Sequence, residues 1–356
     1  MSDQQKVVLS LKLVLETCNA ALDSGPPPEA TPQSLQVLHK DLVSLMSLLY
    51  ATTTKVSLAL KPSKPTYSAS LAPLKDLADQ VSALFHCANL LIPEAHGASL
   101  VREVKSLVRD VLEAIRSLAQ TFLGVEASGL RQSSGQAGDE YMVRTATLHS
   151  VLDRARACSA NNLLAVRKRW SEDAASLDDG FREVAEMVEE AESTEEDGDD
   201  GDEEFDDGWG DIGIGKSQKM DADELDRTKK VHGILRLAQL LHKRVLRDIL
   251  STSQEAPKNS ILDALSSLSH ELLSASDELV STLYTPQVPK KMETELGAFR
   301  RIISDFQASL AKPDALETQL RNLSLATTNN GSKWFDTCFV QLFKAVDALH
   351  GSLGAT

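Results

Sequence analysis

The sequence predicts an all-α protein: two antiparallel helical bundles, residues 1–190 and 223–356, joined by an acidic disordered linker over 191–222. Three observations carry this prediction. Apolar residues recur at steps of three and four almost everywhere outside the acidic run, the period of a helix with one buried face. Aromatic residues make up only 4% of the chain, and the apolar ones are mostly Leu, Ala and Val, of which Leu and Ala favour helix. No stretch alternates apolar and polar residues with the β-branched and aromatic content a strand needs.

The elements follow in chain order. Val7, Val8, Leu11, Leu15, Cys18 and Leu22 fall at helical spacing, with Lys12 and Glu16 interrupting. This reads as an amphipathic helix and not as a signal peptide. A second helix carries Leu35, Leu38, Leu42, Leu45, Met46, Leu49 and Val56 on one face, and Thr31-Pro32 marks its start. A third follows the break "KPSKP" and stops at Pro93. The clearest stripe is Leu100, Val104, Leu107, Val108, Val111, Ile115, Leu118 and Phe122, with Gly124 placed as its C-terminal cap. After the loop-like "EASGLRQSSGQAGDE" come helices around 141–157 and 161–191, the latter with Leu163, Val166, Trp170, Leu177, Phe181, Val184 and Val188. Beyond the acid, Val231, Leu235, Ala238, Leu241, Val245 and Ile249 share a face. A helix capped by Asn259 or Ser260 comes next, then "KKMETELGAFRRIISDFQASLA" and "KWFDTCFVQLFKAVDALHG". Helices of this length are roughly 30–45 Å long and bury their stripes by packing antiparallel.

The chain has 356 residues, enough for two cores, and its 42% hydrophobic and 25% charged residues are those of a soluble globular protein. The net charge is −15, yet five Glu and seven Asp with no Lys or Arg fall between Glu192 and Asp211. The acidity therefore belongs to a segment, and the remainder is close to neutral. Nucleic acid is not expected as a partner, because phosphate backbones require concentrated Lys and Arg. No uninterrupted apolar run approaches the roughly 20 residues of a membrane span. Cys18, Cys87, Cys158 and Cys338 stand far apart, which reads as reduced thiols, and the chain is expected to be soluble and intracellular.

The segment "AESTEEDGDDGDEEFDDGWGDIGIGKSQKMDADELD" cannot bury enough apolar area to offset its ordering entropy. Phe205, Trp209, Ile212 and Ile214 punctuate it and leave two readings open. One is a plain spacer. The other is an acidic-aromatic peptide that docks on a partner or back on its own bundle. Ser193 and Thr194, each followed by acid, are candidate substrates of an acid-directed kinase. "GDIGIGKS", Gly210 to Ser217, fits the phosphate-loop spelling. A phosphate loop needs a buried strand before it, and "DGDEEFDDGW" is none, so no nucleotide or other cofactor is expected.

The eight histidines show no metal-ligand spacing, and the acidic run gives no EF-hand register. No nucleophile motif appears, so no catalytic residue is assigned. "RKRW" (Arg167, Lys168, Arg169, Trp170) is the densest basic cluster. It is either a solvated helix face or a docking site for the acidic segment or an acidic partner.

Three stretches carry a family resemblance. In the first half they are "SLVREVKSLVRDVLEAIRSL" and "ARACSANNLLAVRKRWSEDAASLDDGFREVAEMVEE"; in the second, "LSASDELVSTLYTP" with Asp277, Glu278, Leu279, Tyr284 and Pro286. In these the chain resembles the cyclin-D-interacting (GCIP-like) proteins over most of its length. The resemblance implies talin-like helical modules, no catalytic residues, and a place in cytoplasm and nucleus. It further implies binding to cyclin or helix-loop-helix factors, with restraint of the cell cycle and of transcription. The competing expectation is a cytoskeletal or adhesion-type bundle that binds actin or a similar protein.

Overall fold

The computed structural model describes residues 1–25, 32–128, 139–196, 219–251, 257–310 and 330–354. Among these there are eleven helices and no strand. They are α1 (Asp3–Asp23), α2 (Leu35–Ala59), α3 (Tyr67–Asn89), α4 (Pro93–His96), α5 (Ala98–Ser128) and α6 (Glu140–Arg156). Then follow α7 (Asn162–Glu196), α8 (Ala222–Asp248), α9 (Asn259–Ser281), α10 (Pro289–Leu310) and α11 (Asn330–Leu353). The fold is all-α, as the periodicity requires.

Two compact units divide the chain, Met1–Ala165 and Val166–Thr356. In the first, α1 packs on α3 and α5, α3 on α2, α2 on α6 and α6 on α5, so five long helices close a ring. Its core draws on the predicted stripes, although on α1 Val8, Leu15 and Leu22 are only half-buried and Val14 is buried in addition. All eight stripe residues of α5 are buried, and Val7, Leu11, Val14 and Cys18 of α1 meet them with Leu38, Leu42, Met46 and Leu49 of α2. α1 starts at a capping box, in which Ser2 and Gln5 exchange side-chain and backbone hydrogen bonds. By length and mean composition α2 is apolar enough to cross a membrane, although no uninterrupted run is. Its buried face is spent on α3 and α6.

In the second unit α8 packs on α11, α11 on α10 and α10 on α9. The segment of α7 from Val166 onward belongs here and is bonded by side chains to α8 and α9. Trp170, Phe299, Phe306 and Phe339 are its largest fully buried side chains.

Several details differ from the sequence reading. The predicted bundles break at 190 and 223, whereas the packing divides at Ala165/Val166 and gives nearly all of α7 to the second unit. Gly124 does not cap α5. The helix runs on to Ser128, because Glu126 in its last turn accepts hydrogen bonds from Gln4 (2.8 Å) and Tyr67 (2.9 Å). α2 starts at Leu35 after Ser34, well past Pro32, while Thr31 lies outside the described residues. α9 is preceded by Lys258 as its cap residue, so Asn259 is already helical. α3 ends at Asn89, and Pro93 opens the short α4 instead of stopping α3.

Candidate functional site

The basic cluster on α7 is drawn into the second unit. Trp170 is fully buried; its ring stacks on His242 of α8 (centroids 4.3 Å, planes 18° apart) and meets the edge of Phe306. Its indole N–H donates to the His242 carbonyl at 3.0 Å. A tryptophan with both ring and N–H satisfied inside a core leaves no surface for a partner. Arg167 donates to the Leu250 carbonyl at 2.8 Å, closing the C-terminal end of α8. Arg169 bridges Asp173 at 3.2 Å and donates to His270 Nδ1 at 3.2 Å. Lys168 is exposed. Phe205, Trp209 and the phosphate-loop spelling Gly210–Ser217 lie outside the described residues.

Beneath Arg169 a serine, a histidine and an aspartate converge. Ser269 Oγ donates to Asp173 Oδ2 at 2.7 Å and lies 2.8 Å from His242 Nε2. The single hydroxyl proton goes to the carboxylate, so His242 Nε2 must be the donor to Ser269 and Nδ1 carries no proton. Burial pushes the His242 imidazole down to about 3, so it is neutral at ordinary pH; the Asp178 carboxylate works the other way. A Ser–His–Asp relay for nucleophilic attack needs the serine proton to pass to histidine. Here the polarity is reversed, and all three side chains are closed off from solvent. This cluster holds α7 to α8 and α9; it is not a reaction centre.

A second polar node ties the start of α8 to the turn after α9. Gln287 N–H donates to Glu224 Oε1 (2.8 Å), and its side-chain amide reaches the Glu224 carbonyl (3.2 Å) and Thr228 Oγ1 (3.0 Å). Arg227 donates to Gln287 Oε1 at 2.9 Å. Every member is paired, which makes the node a structural lock. The resemblance residues sit beside it. Leu279 is core, Tyr284 donates to Glu183 of α7, and Asp277 lies close to Gly180. Burial, then Glu183 and Glu278, push the Asp277 carboxyl up.

In the first unit, His149 of α6 stacks on Tyr50 of α2 at 3.9 Å, and the Arg156 guanidinium lies 5.0 Å from the Tyr50 ring centroid. A charged surface groove of about 300 Å³ between α5 and α6 is crossed by the Arg154–Asp110 ion pair (2.6 Å). All four cysteines are buried and in no disulfide, and burial pushes Cys18 up to about 12 and Cys87 and Cys338 to about 11. Among the described residues no group of three His, Cys, Asp or Glu could hold a metal ion.

What decides the family is the sequence itself. The family model described as "Grap2 and cyclin-D-interacting, N-terminal" matches residues 41–190, and its C-terminal counterpart matches 198–308. The chain belongs to the Grap2 and cyclin-D-interacting family. No curated protein matches it. The family's two matched stretches meet between 190 and 198, on the acidic run, whereas the packing divides at Ala165/Val166. The family's N-terminal half therefore includes a helix, α7, that is built into the C-terminal unit.

Sequence reasoning missed the seam between α7 and α8. Its signal was present in one form: Trp170 stands on the same stripe as Val166, Leu177 and Val184. The adjoining arginines and lysine obscured it.

Proposed function

We propose that this chain is a non-enzymatic interaction protein that binds a D-type cyclin and restrains cell-cycle progression and transcription. Helix-loop-helix factors are a second class of partner, and the setting is cytoplasm and nucleus. The observation that carries the reading is membership, over most of the chain, of a family whose name records two binding partners and no reaction. The geometry supports it. The Ser–His–Asp convergence of α7, α8 and α9 is wired as a structural bond chain, and the three thiols with shifted values are held protonated by burial. What such a fold offers a partner is helix faces, and helix-in-groove docking is the natural mode.

The test uses the purified full chain against a purified D-type cyclin, with actin cosedimentation run in parallel. Saturable cyclin binding with no actin pelleting supports the proposal. Actin pelleting without cyclin binding would replace it with a cytoskeletal role.

A further inference from the structure

The outward face of α8 has a regular composition. Lys229, Gly233, Arg236, Leu240, Lys243 and Arg247 follow one another at steps of four and three, and all six are exposed. That spacing sets them in one stripe along the helix. The opposite face holds Val231, Leu235, Ala238, Leu241 and Val245 in the core. Four of the six outward positions are basic in a chain whose net charge is −15. At the middle of the stripe Leu240 is 43% exposed, and the space over Gly233 is open. Ion pairs among the described residues join Lys229 to Glu192 (2.7 Å), Lys243 to Asp178 (3.1 Å) and Arg247 to its neighbour Asp248 (2.8 Å). Among the described residues Arg236 forms no ion pair.

We infer that this stripe is a docking surface for the chain's own acidic-aromatic segment, residues 197–218. Charge complementarity is the first argument. The run from Glu192 to Asp211 holds twelve carboxylates and no base, and it leads directly into α8. Composition is the second. Phe205, Trp209, Ile212 and Ile214 supply apolar groups for Leu240 and the open space at Gly233, and an aromatic face for the Arg236 guanidinium. Chain geometry is the third. The end of α7 and the start of α8 lie together, joined by the Glu192–Lys229 pair. The residues between the two helices can span up to about 85 Å when extended. Lys229 to Arg247 along α8 is about 27 Å, so the segment can run out along the stripe and return. Tethered at both ends beside the surface, it is present at an effective concentration on the order of millimolar. The basic cluster on α7 is the weaker candidate, since Trp170 is buried and Arg167 and Arg169 already hold α8 and α9. This docking does not depend on the cyclin reading.

Zero-length carbodiimide coupling of the full chain at low micromolar concentration, read by peptide mass spectrometry, tests it. Lys229–Glu192 is the internal control for coupling. The expected result joins Lys243 and Lys229 to carboxylates of 197–211 within monomeric chains. The Lys243 products fall roughly fivefold in the double variant Arg236→Glu/Arg247→Glu, as loss of two surface ion pairs of ordinary strength implies. They fall likewise for the unmodified chain in 0.5 M salt, an arm that decides the matter should the variant lose helix content. Three results overturn the inference: the control link forming without segment links to α8, segment carboxylates coupling as readily to Lys290, Lys333 and Lys344, or links found only between two copies.

Discussion

Trp170 and His242 lie with their rings stacked 4.3 Å apart, and the indole N–H of the first donates to the backbone carbonyl of the second. Three turns along α7 and nearly three turns back along α8 the arrangement repeats, with Phe181 stacked on His232 at 4.5 Å. Two antiparallel helices are thereby held in register by aromatic–imidazole pairs. The bond chain Asp173–Ser269–His242 adds α9 to the same seam.

Replacing Trp170 by Ala removes the largest side chain of that seam. It should destabilise the second unit by about 3–5 kcal/mol, with Trp170→Phe costing about 1–2 kcal/mol for the lost hydrogen bond and volume. Urea unfolding followed by circular dichroism measures both. A change below 1 kcal/mol for Trp170→Ala would show that the ring is not a core element.

Acid should weaken this seam. In the unfolded chain His242 titrates near its ordinary 6.5, and in the fold burial pushes it down to about 3. Protons therefore bind the unfolded state first. The stability present above pH 6.5 is lost as pH falls toward 3, by about 2 kcal/mol between pH 7 and pH 5. Burial pushes His232 and His149 in the same direction, while Asp277, raised by burial, works in the opposite sense at lower pH. Urea midpoints at pH 7 and 5 read the difference, and His242→Gln should flatten it. An equal slope in the variant would assign the effect elsewhere.

The stripes were legible in the sequence because helix burial has a local period. Leu100 to Phe122 on α5 and Val231 to Ile249 on α8 are buried at every predicted position. What a stripe packs against is not local. Nothing in the letters around Ala165 marks a boundary, because the helix continues through it and its apolar face passes from one unit to the other. The basic run read as an outward face since charge dominates a four-residue window, yet Trp170 lies on the inward side of the same turn. Leu163, Val166 and Trp170 already had that spacing, but only the partner helix shows which core it enters.

Gly97 should not tolerate a side chain. Its φ of +92° and ψ of 138° suit glycine alone, and a Cβ there would collide with the Asn162 side chain. Asn162 Oδ1 accepts from Leu100 N–H at 3.0 Å at the start of α5. Gly97→Ala therefore combines backbone strain with loss of that cap and should cost about 2–4 kcal/mol. A thermal melt would detect it; an unchanged midpoint would mean the turn rearranges freely.

The buried bond chain should behave as a unit. Ser269→Ala removes the hydroxyl that serves Asp173 Oδ2 and His242 Nε2, with Asp173 keeping only its Arg169 ion pair, and should cost about 2–3 kcal/mol. Asp173→Asn in the same background should add clearly less than it costs alone, by at least about 0.5 kcal/mol, since the two residues share one network. Strict additivity in a double-mutant cycle would contradict the bonding described.

The account turns on α7 being part of the C-terminal folding unit although the family's N-terminal stretch contains it. The most direct measurement compares urea unfolding of fragments 159–356 and 198–356. The first should unfold in one cooperative transition, and the second, lacking Trp170, Leu177 and Val184, should lose that cooperativity and most of its stability. Identical midpoints and slopes for the two fragments would show that the C-terminal unit folds without α7, and the seam would have to be abandoned.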